Sequence, residues 1–207
     1  MIIKFMATYK AKYIIACFYF RGKKTVCFNI VDLATRSLHF EFSYPDPADK
    51  NRSQTGAFQY NSIRIAVSSN NKYLFFIDKL QGINTLKCFE LETKTQLPDF
   101  IIPNNDFEED TDVFMDISPD DKYIFLGYSS KTRDEFLAIE LETKNIHLRM
   151  PNIFPEGRRG SFKALSLVSG YLILGNEWDI KMFNFSKMEQ SIYLEITPKD
   201  SKYPGIF

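Results

Sequence analysis

The chain has 207 residues, 44% of them hydrophobic, with 20 Phe and 11 Tyr, which is ample for a packed core and tilts it towards strands. Lys plus Arg number 26 and Asp plus Glu 26, so no global field recruits nucleic acid or an anionic membrane. Three cysteines, Cys17, Cys27 and Cys88, are too few and too odd for a disulfide framework, lack zinc-site spacing, and read as small buried hydrophobes in a reducing compartment.

The first apolar run is Tyr13 to Phe20, preceded by Lys10 and Lys12. Its 8 residues are too few for a transmembrane helix, which needs about 20. Arg21 to Lys24 follow, where a secretory signal would need small residues. The run is therefore expected to be a strand, and the protein cytoplasmic.

That strand returns. YIIAC at Tyr13 is followed by YLFFI at Tyr73, YIFLG at Tyr123 and YLILG at Tyr171, with tyrosine spacings of 60, 50 and 48. Each tyrosine stands five residues after a small hydroxyl residue: Thr8, Ser68, Ser118 and Ser166. The residues between include SNNK at 69–72, PDDK at 119–122 and LVSG at 167–170, which suit tight reversals between antiparallel strands. The apolar runs do not alternate with polar residues, as expected for strands covered on both faces.

A further strand lines up in columns in every unit. Phe28, Leu86, Phe136 and Ile180 share one position, and Ile30, Cys88, Ala138 and Met182 share another. Then come Val31-Asp32, Phe89-Glu90, Ile139-Glu140 and Phe183-Asn184, followed by Leu33, Leu91, Leu141 and Phe185. A Thr-Arg or Thr-Lys turn closes three of the units, with Lys187-Met188 as its degenerate fourth copy. Candidate first strands are 2–8, 62–68, 111–118 and 161–166, and candidate outer strands are 38–42, 97–102, 146–150 and 191–196. Four strands in a unit of about 50 residues is the arithmetic of a β-propeller blade. The expected fold is all-β, a propeller of about four four-stranded antiparallel blades at 2–42, 62–102, 111–150 and 161–197, in a single domain over 1–207. The repeat allows a four-bladed ring, part of a larger propeller, or a half that pairs with another chain.

The run FELETKT at Phe89 to Thr95 resembles the end of a WD-repeat blade, where Trp-Asp closes the third strand before a turn. SPDDKY at Ser118 to Tyr123 is similar to the Ser-Pro-Asp-Gly-x-Tyr turn of WD-repeat and related propellers. The resemblance covers 2–197 and implies a propeller that serves as a protein-interaction platform. It departs from the family in having no Gly-His dipeptide, and the sole Trp-Asp, Trp178-Asp179, precedes its third strand. The family's Ser/His/Asp/Trp network is therefore incomplete, and other propeller families remain open.

In a propeller, the loops joining outer strand to next first strand share a face with those joining second to third strands. That face gathers the insertions 43–61, 103–110 and 151–160, and it is the expected binding surface. On it lie Arg158 and Arg159, with Lys131 and Arg133, and Arg21, Lys23 and Lys24, a candidate basic rim for an acidic peptide or phosphate. Trp178, in the short loop Asn176 to Asp179, is a candidate aromatic anchor. Asp106, Glu108, Asp110 and Asp112 alternate in a manner that suits calcium, but the stretch lacks the glycine and terminal glutamate of a helix–loop–helix site. It is read as an acidic loop. His39 and His147 hold equivalent outer-strand places, which speaks for structure rather than metal binding.

No GxSxG elbow, phosphate loop or HExxH motif is present. The expected function is thus a non-enzymatic scaffold for a protein partner, without cofactor or metal, and with self-association or further blades as ways to close the ring. The competing class is a propeller enzyme of the lactonase-like or quinoprotein-like kind, with a site at the central channel.

Overall fold

Four antiparallel sheets follow one another along the chain, each built from consecutive strands. They are seen in a computed structural model that describes residues 2–7, 12–20, 25–45, 65–80, 83–102, 112–129, 133–156, 162, 164–176, 178–187 and 189–195. The first sheet comprises β1 (Ile2–Ala7), β2 (Tyr13–Phe20), β3 (Thr25–Asp32) and β4 (Ser37–Pro45). The second has β5 (Ile65–Val67), β6 (Tyr73–Leu80), β7 (Ile83–Glu90) and β8 (Thr95–Gln96), with β9 (Phe100–Ile101) also paired to β7. The third is β10 (Asp112–Ile117), β11 (Tyr123–Ser129), β12 (Asp134–Glu140) and β13 (Ile146–Pro151). The fourth is β14 (Ala164–Val168), β15 (Tyr171–Gly175), β16 (Asp179–Asn184) and β17 (Glu189–Glu195). This is a β-propeller architecture, with each sheet a blade.

The repeated residues are those that fold each blade locally. Ser68 and Ser118 are buried, and each hydroxyl oxygen accepts the backbone N–H of the following tyrosine, Tyr73 or Tyr123, at 2.8 Å. Each hydroxyl also donates to a turn side chain, Asn70 Oδ1 or Asp120 Oδ1, at 2.7 Å. A buried hydroxyl thus satisfies turn amides that would otherwise be stranded. The leucine column has a main-chain role too. The amides of Leu33, Leu91, Leu141 and Phe185 donate to the carbonyls of Lys12, Lys72, Lys122 and Gly170 at 2.8–3.0 Å, tying the two turns of each blade together.

The polar residue that ends each third strand caps the turn after it. Asp32 Oδ1 accepts from the amides of Ala34 and Thr35, and these bonds, Thr35 foremost, hold its carboxyl below the usual range. Glu90 and Glu140 accept from Thr93 and Thr143, and Asn184 from Ser186 and Lys187. Arg36, Lys94 and Lys144 occupy equivalent left-handed positions with φ of 54–59°, the last step of the same four-residue turn.

Strand alternation gives every blade two apolar faces, and three hydrophobic clusters join the blades in series. Tyr13, Ile15, Cys17, Val26, Phe28 and Ile30 of the first meet Ile65, Leu74, Phe76, Phe89 and Leu91 of the second. Phe75 and Leu86 of the second meet Ile124, Leu126, Leu137 and Ile139 of the third. Phe125, Phe136 and Ala138 of the third meet Leu172, Leu174, Phe183 and Phe185 of the fourth.

Both histidines belong to these joints. The His39 ring lies 5.0 Å from that of Tyr13, and its Nε2 is 2.8 Å from the Leu91 carbonyl oxygen of the next blade. His147 lies 4.9 Å from Tyr123 and 5.6 Å from Phe185, again across a joint. Asp121 adds a polar staple, its carboxylate accepting from the Ser69 amide at 2.6 Å and the Ser69 hydroxyl at 2.8 Å.

One strand differs from expectation. The outer strand anticipated over 97–102 is broken into β8 and β9 by Leu97, Pro98 and Asp99. Pro98 has no N–H for the ladder. Asp99 bonds instead to Lys87 and to Gln96 Nε2, while the Leu97 amide keeps one bond to the Cys88 carbonyl at 2.9 Å.

Candidate interaction surface

Antiparallel order sends the first-to-second and third-to-fourth turns of every blade to one end. The second-to-third loops and the interblade connections go to the other. The turn end is consumed by the caps and staples described above, so the loop end holds the residues without a repeated structural role.

The best defined part lies where the third and fourth blades meet. Asp134, at the start of β12, is fully buried, and its Oδ1 accepts the amides of Ile153 and Phe154 (3.2 Å for Phe154). Its carbonyl accepts the Asn152 amide at 2.7 Å. Ile153 and Phe154 turn their side chains into the joint, and Phe162 packs on Phe154 with ring centroids 5.4 Å apart. Both roots of the 157–161 segment are therefore fixed to the core. Next to Asp134, Glu135 is buried and paired with Arg149. That pairing holds the Arg149 guanidinium above its usual range.

The ends of the turn between β15 and β16 are held by a similar set of bonds. Asn176 is buried and its Oδ1 accepts the amides of both Trp178 and Asp179 at 2.8 Å. The Asn176 amide donates in turn to the Asp179 carbonyl at 3.0 Å. Trp178 is left 39% exposed on this clamped turn.

Of the residues expected to form the site, Trp178 stands exposed at the loop end and Arg133 lies half-buried at the entry to β12. Lys131, Arg158, Arg159, Asp106 and Glu108 lie outside the described residues, as do Arg21, Lys23, Lys24 and Asp110. Among the described residues, no group of three or more His, Cys, Asp or Glu side chains is arranged to hold a metal. None forms a helix long and apolar enough to cross a membrane.

A groove of about 360 Å³ between the second and third blades was not anticipated. Phe75, Leu86, Cys88 and Phe100 line one wall, and Ile139 and Leu141 the other. Lys144 reaches across the rim to the Pro98 carbonyl at 3.1 Å. The groove exists because the outer strand breaks at Pro98, and a proline inside an expected strand was its only sequence signal. Burial pushes the Cys88 thiol up to about 12, which leaves it a protonated apolar wall rather than a nucleophile.

The geometry defines the chain as a β-propeller, at least in part. No protein-family model and no curated protein matches it. Its fold is similar to that of Kuenenia stuttgartiensis hydrazine synthase, with a TM-score of 0.60 and 10% identity, covering 93% of this chain and 48% of that one. It is also similar to TolB from Acinetobacter baumannii (TM-score 0.58, 15% identity, 96% and 44% covered). A third similar structure is the β-propeller domain of Cps50 (Swd1) from Myceliophteria thermophila (TM-score 0.57, 11% identity, 95% and 55% covered). The chain thus spans about half the length of the solved chains it matches.

Proposed function

We propose that this chain is a non-enzymatic, cytoplasmic scaffold of the WD-like kind, which binds a protein partner through its loop face. The observation that carries this reading is Trp178, a large aromatic held 39% exposed on a turn clamped by Asn176. An anchor ordered before binding loses little entropy when it docks, and tryptophan is enriched among residues that dominate interfaces. Arg158 and Arg159 belong to the segment whose two roots are anchored on the same joint, and they supply charge for an acidic partner surface. The third-strand caps at Asp32, Glu90, Glu140 and Asn184 support the WD-like reading, because they serve the turn at the place where Trp-Asp closes a regular WD blade.

The competing reading, a propeller enzyme, has in its favour that two similar structures are by name enzymes, a synthase and a dehydrogenase. Against it, both histidines are engaged in blade joints.

The test compares proteins captured from a lysate by the immobilised wild-type chain with those captured by a W178A/R158A/R159A variant. A second variant, E92A/E142A, alters exposed residues of the turn end. Loss of capture by the first alone, with both variants melting as the wild type does, is the expected result. Unchanged capture by the first and loss by the second would refute the loop-face assignment.

A further inference from the structure

The three joints within the chain are built alike. Each blade meets the next through one face, formed in the third blade by Tyr123, Phe125, Phe136 and Ala138. It meets the previous blade through the opposite face, formed in the fourth by Leu172, Leu174, Phe183 and Phe185. Four blades in series leave one face of each kind over, and no hydrophobic cluster among the described residues joins the fourth blade to the first.

The leftover faces can be named from the register. On the fourth blade, Leu172 and Leu174 point to the third, so Tyr171 and Ile173 point away, with Val168 and Met182 paired beside them. Ile180 and Leu194 continue the same face. Val168 is 53%, Tyr171 37% and Leu194 55% exposed, whereas Phe125, Phe136 and Ala138, which stand in equivalent places to Ile173, Ile180 and Met182, are fully buried. On the first blade, Ile15 and Ile30 point to the second, so Ile14 and Val31 point away, with Leu38 paired to Val31 and 52% exposed. Ile14, Ala16, Val31 and Leu33 are the repeat equivalents of Leu172, Leu174, Phe183 and Phe185. Among the described residues, the register also places polar residues on these faces: Thr25, Asn29, Glu41 and Ser43 on the first blade, and Ser166, Asn184 and Glu189 on the fourth. Asn184 Oδ1 already accepts from Lys187 and Ser186.

We propose that these two faces bind each other between two copies of the chain, the fourth blade of each copy packing on the first blade of its partner. The chain carries at one end the face that its other end lacks, and the three internal joints display how the two interlock. A two-fold axis along the propeller axis then closes both open ends at once, making a ring with four blades from each copy. Unlike a back-to-back contact, which puts like faces together, this joint is heterologous, and that makes it testable by mixing.

The experiment measures solution mass for the full chain. The expected wild-type value is twice the 24.2 kDa of one chain, with a dissociation constant of about 1 μM or tighter. Ile173→Arg and Ile14→Arg each poison one face and are expected to give single chains with unaltered circular dichroism. Mixed in equal amounts, they still share one intact joint, so species of two chains are expected to return only in the mixture. Should either variant fail to fold, Leu194→Lys and Leu38→Lys change side chains that are already exposed and give the same reading. A wild-type single chain at about 100 μM would overturn the proposal. So would polymers larger than two chains, or a dimer lost in one variant but not regained on mixing, since the last outcome marks like faces packed together.

Discussion

Asp116 illustrates how a single side chain departs from the repeat. It sits on β10 in the pair with Phe125, on the face turned to the fourth blade, and is half-buried. Burial raises its carboxyl pKa above the ordinary 3.8, and the bond it accepts from the Ile117 amide at 2.8 Å offsets this only in part. A raised folded pKa means that the folded state holds the proton more tightly. The stability linked to it is complete below the unfolded value of 3.8 and is lost as pH rises through the folded one. At neutral pH the carboxylate therefore opposes folding. Asp116→Asn keeps an oxygen for the Ile117 amide and removes the charge, so its urea midpoint at pH 7 is expected above that of wild type. The gap should narrow as pH falls towards 4. A lower midpoint at pH 7 would show that the amide bond needs the charged acceptor. At this scale the sequence was legible where a residue recurs: Ser118 and Leu141 stood out by column, and the Ser118 hydroxyl accepts a turn amide while the Leu141 amide donates to the Lys122 carbonyl. Asp121 did not stand out, because its partner Ser69 lies 52 residues away and the pair occurs at one joint.

At the level of the strand, β11 and β12 show why the runs YIFLG and FLAIE lack polar alternation. Every residue from Ile124 to Ser129 and from Asp134 to Ile139 is buried, because a blade covers each face. Gly127 belongs to this pattern for a reason that no propensity scale reveals. A Cβ placed on it would meet the Phe162 ring at 2.8 Å. The ring uses the missing side chain to reach the backbone, and with Phe154 it closes the loop side of the joint. Gly127→Ala must push Phe162 out of its seat, and an overpacking cost of about 1–3 kcal/mol is expected in thermal or urea unfolding. Gly170, by contrast, has open space around it and owes its place to a φ of 80°. The strand order was readable from periodicity and turn residues, both local signals. The break at Pro98, with the groove it opens, was not, because there two short pairings with β7 replace one longer strand.

For the whole molecule, the series of joints sets a gradient of stability. In a linear repeat array, each unit's stability is its own plus that of its contacts with neighbours. Among the described residues, the second and third blades have two such contacts, whereas the first and fourth have one. The burial pattern agrees: the strand β12 reads as buried from Asp134 to Ile139, while its counterpart β16 keeps Ile180, Lys181 and Met182 only half-buried. Backbone amides of β11 and β12 are therefore expected to exchange with solvent most slowly, and those of β15 and β16 faster. Each tenfold difference corresponds to about 1.4 kcal/mol of opening free energy. Concentration then separates two origins of protection. If the end faces pack between copies, exchange in β2, β3, β15 and β16 slows as protein concentration rises through the dissociation constant, while β11 and β12 change little. Hydrogen exchange followed by mass spectrometry at two concentrations reads both strand sets in one sample. Equal protection of end and middle blades in the dilute sample would mean that the ring closes within one chain, and the gradient argued from one-sided burial would fall with it.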